Sequence, residues 1–92
     1  MRVFVRKGFR KSYAKLSERA KLSERDRKLV DDGLSLFRED PFHPDLKNHA
    51  LKGVLKGQRA ISAGFDLRIL YRQEGGHAVV YLLKTGTHNQ VY

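Results

Sequence analysis

The apolar residues change their spacing twice along this chain, and that change restricts the fold more than any single motif does. Met1 to Arg6 alternates, with Val3 and Val5 on one side and Arg2, Phe4 and Arg6 on the other, as a strand requires. After Gly8 the period lengthens. Phe9, Tyr13, Leu16 and Ala20 fall at i, i+4, i+7 and i+11, the stripe of a helix whose opposite side carries Lys7, Arg10, Lys11 and Lys15. Ser23, followed by Glu24 and Asp26, predicts an N-cap with acids in the first turn of a second helix. Its buried side is Leu29, Val30, Leu34 and Phe37, and Pro41 stops it at Asp40. Pro41 to Asn48 has two prolines and no periodicity, which predicts a loop with His43 in a structural role. The period then returns to two in Arg59 to Ala63, Leu67 to Gln73 and Ala78 to Lys84. Glu74-Gly75-Gly76-His77 suits a tight hairpin between the last two, with His77 at its exposed tip. The order strand, helix, helix, strand, strand, strand predicts a two-layer α+β domain. Two N-terminal helices pack on one face of a mostly antiparallel four-stranded sheet and leave the other face, or its rim, open.

A chain of 92 residues has room for one core, so residues 1–92 form one domain. Its formal charge is +9, and the excess is uneven. Residues 1–21 hold eight basic and one acidic side chains, residues 22–45 hold four and seven, and residues 46–92 hold seven and two. Basic ends flanking an acidic middle predict a polyanion surface built from both ends, brought together by folding. The absence of cysteine excludes disulfides, thiolate metal sites and cysteine nucleophiles, and it suits the cytoplasm. No apolar run reaches the ~20 residues of a membrane span or the length of a secretory signal, so neither membrane insertion nor export is expected.

The titratable candidates for chemistry are His43, His49, His77 and His88 with Asp45, Asp66 and Tyr92. His43, Asp45 and His49 match no zinc spacing, so no metal site is expected. Gly53 to Gly57 lacks the Gly-Lys-Ser/Thr ending of a phosphate loop, and no nucleophile elbow or dinucleotide fingerprint is present. What remains is a cofactor-free set of acids and bases among Lys and Arg. RNA cleavage needs such a set: a base for the 2′-hydroxyl proton, cations for the phosphorane and an acid for the leaving 5′ oxygen. On composition alone, a non-catalytic binding module is the more common outcome for a basic domain of this size.

Leu46-Lys47-Asn48-His49-Ala50-Leu51-Lys52-Gly53, Gly57-Gln58-Arg59, Asp66-Leu67-Arg68-Ile69-Leu70-Tyr71 and Thr85-Gly86-Thr87-His88-Asn89-Gln90-Val91-Tyr92 resemble the YafQ branch of the RelE/ParE toxin superfamily. The resemblance implies a RelE-like fold and a bacterial toxin of a type II toxin–antitoxin pair. Such a toxin cuts mRNA in the ribosomal decoding site and is held inactive by a cognate antitoxin. Its implied partners are therefore the antitoxin, the ribosome with its rRNA, and mRNA, and it needs no cofactor. It places catalytic roles on His49, Asp66 and His88, matches the family's terminal aromatic to Tyr92, and puts a basic residue at Lys84. Arg59 and Arg68 are expected to contact phosphate, and Lys7, Lys11 and Lys15 to bind RNA. The chain departs from its relatives at three positions: Ser62 where they carry another His, Ala60 at a nearby acidic position, and Leu67 where an aromatic follows the Asp. Two other readings share the fold: a ParE-like binder of DNA gyrase, and a degenerate toxin that only pairs with its antitoxin. Tyr92 is expected either to pack on the sheet or to stack on a substrate base.

Overall fold

The computed structural model describes residues 1–16 and 23–92. Strand β1 (Arg2–Val5) leads into helix α1 (Lys7–Leu16), and helix α2 (Ser23–Glu39) is followed by a 3-10 turn at Pro44–Leu46 and a short strand β2 (His49–Ala50). A second 3-10 turn at Gly53–Leu55 precedes β3 (Arg59–Ala63), β4 (Leu67–Glu74) and β5 (Val79–Thr87), and a single-turn helix α3 (His88–Val91) ends the chain. The three C-terminal strands lie where the two-residue period put them. Two elements correct the expectation. The sheet has five strands rather than four, because His49 and Ala50 pair with Ala60 and Arg59, and β5 runs on into an additional helix. Ala20, expected at the end of the first helix, lies outside the described residues.

The strand order is β1-β5-β4-β3-β2, with β1 parallel to β5 and the other pairs antiparallel. The basic N-terminal segment thus lies beside the basic C-terminal one, as the charge distribution predicted. Alternation sends Ile61, Ala63, Ile69, Tyr71, Val80 and Leu82 to one face, where they pack with Phe9, Leu16, Val30 and Phe37 from the helices. The opposite face carries a smaller group, Ala60, Leu70 and Val91, with Leu51 and Leu83 against it.

Two details set the geometry of β5. Its pairing with β4 runs Tyr71↔Leu82 and then Leu70↔Lys84, so Leu83 is an extra residue in a bulge. Beyond β1, helix α1 closes the strand's edge: the Thr85 backbone N–H donates to Ser12 Oγ at 2.9 Å. The approach is so close that a Cβ on Gly8 would lie 2.8 Å from the Leu83 carbonyl oxygen.

His77 is the largest local surprise. It is only 9% exposed, not the surface residue its place in the hairpin suggested. A left-handed backbone (φ 71°) turns the ring inward, between Phe37 and Phe42. Tyr71 Oη, 2.7 Å from His77 Nε2, also accepts a hydrogen bond from Asn48 Nδ2 at 2.6 Å, so its own proton goes to His77. Burial, with the Arg59 charge adding to it, holds the His77 imidazole below its ordinary range, as a neutral acceptor. A base whose pKa is lowered by folding binds more protons when unfolded, so its contribution is full above the unfolded value of ~6.5 and is lost as pH falls below it. The melting temperature should fall from about pH 7.5 to about pH 5.5 more steeply in the wild type than in His77→Asn, which tolerates the same backbone but cannot titrate. Equal slopes would remove His77 from the linkage.

Candidate active site

The open face of the sheet collects most of the residues singled out by sequence. His49 pairs with Ala60, Ala60 with Leu70, and Leu70 with Lys84, which sets His49 and Lys84 in one row across four strands. Ser62, Arg68 and Gly86 form the next row. His49 is exposed, with Nδ1 2.9 Å from the Lys47 carbonyl oxygen, which leaves Nε2 directed away from its own backbone. Asp66 lies in the turn between β3 and β4, next to Phe65, whose ring is 97% exposed.

Asp66 and His88 are tied together through the main chain, because the His88 N–H donates to the Asp66 carbonyl at 3.2 Å. Helix α3 is then fixed at its first turn by a reciprocal cap. The Thr87 hydroxyl accepts from the Gln90 backbone, and Gln90 Oε1 accepts from the Thr87 N–H at 2.8 Å. Val91 anchors the far end of this turn on Ala60 and Leu70, which folds α3 back over the open face. The turn brings Tyr92 against His88, ring edge to ring, with centroids 4.6 Å apart. Burial pushes the Tyr92 phenol up and the Arg68 charge partly offsets this, so the phenol stays protonated at neutral pH. Arg68 is itself steadied by Nη1 bonds to the carbonyls of Leu67 (2.9 Å) and Phe65 (3.3 Å).

Asp66, Arg68, His88 and Tyr92 are therefore assembled at one end of the open face. His49 faces the same side from β2, two strands from Arg68, or roughly 10 Å at ordinary strand spacing. Exposed Lys7, Lys11 and Lys15 recur every fourth residue along α1. Lys15 and Lys84 line the same cavity, together with Ser12, Thr85 and Gln90. A run of cations thus extends from α1 to the site.

Arg59 is a correction. It pairs with Tyr71, so it points to the helix-covered face and not towards Arg68. Its Nε donates to Asn48 Oδ1 at 2.9 Å and its guanidinium lies over the Phe42 ring, which makes it a strut beneath His49. Ser62, paired with Arg68, occupies the open face, so its position fits the substitution of a site residue. Leu67, by contrast, is buried among the helix-side residues and cannot present itself to a ligand. His43 is structural as expected: its Nδ1 accepts the Asp45 N–H at 3.1 Å. Among the described residues, no three His, Asp or Glu side chains converge as a metal site would require, and no helix is long and apolar enough to cross a membrane. The residues missed by sequence reasoning are Tyr71, Asn48 and Gln90, which hold the others in place.

Gly86 is required by this arrangement. A Cβ there would stand 2.7 Å from Gln90 Oε1 and 3.2 Å from Gln90 Cβ, forcing the cap of α3 open. Gly86→Ala should cost about 1 kcal/mol, as lost caps do, yet reduce activity far more than the melting temperature, since the cap carries His88. Activity retained alongside a shifted melting temperature would show that α3 is dispensable.

The sequence profile of YafQ, a bacterial toxin of type II toxin–antitoxin systems, matches residues 1–92. No curated protein sequence matches the chain. Among solved structures, YafQ from Escherichia coli BL21(DE3) superposes with a TM-score of 0.80 at 20% identity, covering 100% of this chain and 99% of that one. YafQ in the Escherichia coli DinJ–YafQ complex gives 0.77 at 20% identity with the same coverage. A metal-bound toxin from Helicobacter pylori gives 0.73 at 26% identity, again over 100% and 99% of the two chains. The profile match over the whole length, on a fold of this layout, means that the chain belongs to the YafQ family of type II toxin–antitoxin toxins.

Proposed function

We propose that this toxin is a ribosome-dependent endoribonuclease, cutting mRNA in the decoding site and neutralised by a cognate antitoxin in the cytoplasm. The observation that carries this reading is the union of Asp66 and His88 by a main-chain bond, with Tyr92 against His88 and Arg68 beside Ser62 and Gly86 on the same open sheet face. A surface that merely binds has no need to gather proton donors and acceptors around a guanidinium. In the reaction, the substrate 2′-oxygen loses its proton to a base and attacks the adjacent phosphorus, and the 5′ oxygen leaves after accepting a proton from an acid. The products are a 2′,3′-cyclic phosphate and a 5′-hydroxyl. His49, Asp66 and His88 share the two proton transfers, and Arg68 and Lys84 oppose the charge of the phosphorane. Tyr92 braces His88 and offers a ring to a neighbouring base.

Mapping mRNA 5′ ends after brief expression tests the proposal. Cuts phased with codons are expected. Their absence, together with inhibited DNA gyrase, would instead establish a ParE-like binder, and their absence with antitoxin binding alone a degenerate toxin.

The cationic run on α1 makes a separate prediction. Ribosome affinity should fall steeply with salt, at ~0.7 in log–log slope per single-strand phosphate contact, and Lys7, Lys11 and Lys15 changed together to Ala should flatten that slope by about 2. Affinity unaffected by salt would refute a phosphate-bound interface.

A further inference from the structure

At the end of the open face away from His88, the exposed ring of Phe4 and the half-buried ring of Tyr81 stand among arginines. Phe4 and Tyr81 are neighbours in the parallel β1–β5 pairing and stack with centroids 5.7 Å apart and planes 22° from parallel. Arg6 lies over the Tyr81 ring at 4.6 Å and Arg2 over Phe4 at 5.4 Å. Arg72 pairs with Tyr81 from the other side, and Glu74 lies farther along the same strand. Phe4 remains 43% exposed despite these contacts.

A cross-strand aromatic pair would account for the Phe4–Tyr81 contact alone. It does not account for three guanidiniums around it, since like charges brought together on a strand edge destabilise the fold. The close Lys28–Asp32 ion pair lies elsewhere, on α2. Planar rings for bases, with guanidiniums for phosphates, form the chemistry that holds unpaired nucleic acid. The place fits as well, because Tyr81 precedes Lys84 by three residues on β5, or roughly 10 Å of strand.

We propose that Phe4 and Tyr81, flanked by Arg2, Arg6 and Arg72, form a stacking platform for unpaired nucleotides of the substrate RNA beyond the cut. The assignment to the substrate strand rests on the proposed RNA cleavage, but the platform is tested by binding, which does not require cleavage.

The probe is a 2′-O-methylated single-stranded RNA of about 12 nucleotides carrying one 5-iodouridine, which has no 2′-hydroxyl to attack. With the full chain, Phe4→Leu and Tyr81→Leu should each weaken binding about 5- to 150-fold, the range of base–aromatic stacking. Leucine keeps apolar packing on the strand, so the melting temperature should hold, and Phe4→Trp should restore affinity. On ribosomes programmed with a message containing 5-iodouridine, irradiation should link the message to Phe4 or Tyr81. Binding within twofold of wild type in both leucine variants, with crosslinks elsewhere, overturns the platform. So does weakened antitoxin binding with RNA affinity unchanged, which would make this face a protein interface. Loss of cleavage in the site variants with the platform's binding intact separates failure of the catalytic reading from failure of this one.

Discussion

His49→Ala, Asp66→Ala and His88→Ala should each lower single-turnover mRNA cleavage on ribosomes by about 10² or more while leaving ribosome binding nearly unchanged. The size of the effect follows from how few proton-transfer groups the open face holds. With Ser62 in place of a histidine, no neighbouring imidazole stands ready to replace one that is removed. Removing any one of them should stall a transfer outright, and the triple variant should be little slower than the slowest single, because groups that act as a unit are not additive. Ser62→His, which restores the residue of the relatives beside Arg68, should raise the rate modestly. Codon-phased cleavage at wild-type rates in both His49→Ala and His88→Ala would dismiss the site.

Tyr92 divides the same site by a different readout. Its ring is in contact with His88, so removing it both frees the imidazole and takes away a stacking surface. Phenylalanine preserves both functions, and Tyr92→Phe should retain activity where Tyr92→Ala does not. An equal loss in both would assign a proton to the phenol, which burial keeps protonated at neutral pH.

Alternation was the most informative property of the sequence. It located β3, β4 and β5, and with Ala60 and Ser62 on one face it also implied that Arg59 points the other way, a consequence that the pairing with Tyr71 makes concrete. Helix α3 was not anticipated, although Thr87-x-x-Gln90 has the spacing of a reciprocal cap. The short strand β2 carries no such mark. Two residues have no period, and it exists because Asn48 is held from below by side chains distant in sequence. His77 was hidden for a related reason: glycines at a hairpin tip announce a turn, but not that the following side chain folds back against Phe37 and Phe42. What the chain leaves unwritten is contact made across the fold, and the position of His49 depends on one such contact.

Asn48→Ala should be the most damaging substitution outside the acid–base set. The Asn48 amide donates to the Pro41 carbonyl at 2.9 Å and to Tyr71 Oη at 2.6 Å, and its oxygen accepts from Arg59 Nε at 2.9 Å. Alanine removes all three bonds at once and leaves the buried Tyr71 hydroxyl and the half-buried Arg59 guanidinium each one partner short. A cost of about 2–3 kcal/mol follows, or a fall in melting temperature on the order of 10–20 °C for a domain of this size. Because Asn48 immediately precedes His49, the loss also frees β2 from the sheet, and a displacement of ~1 Å at a reacting group can cost ~10² in rate. Asn48→Asp separates the two consequences. The carboxylate keeps the bond from Arg59 but cannot donate to Pro41 or Tyr71, so stability should recover in part while β2 stays loosened and cleavage stays low. If cleavage in Asn48→Asp, measured well below its melting temperature, returned to the wild-type rate, the hydrogen bonds to Pro41 and Tyr71 would have no part in placing His49, and the Arg59 strut alone would suffice.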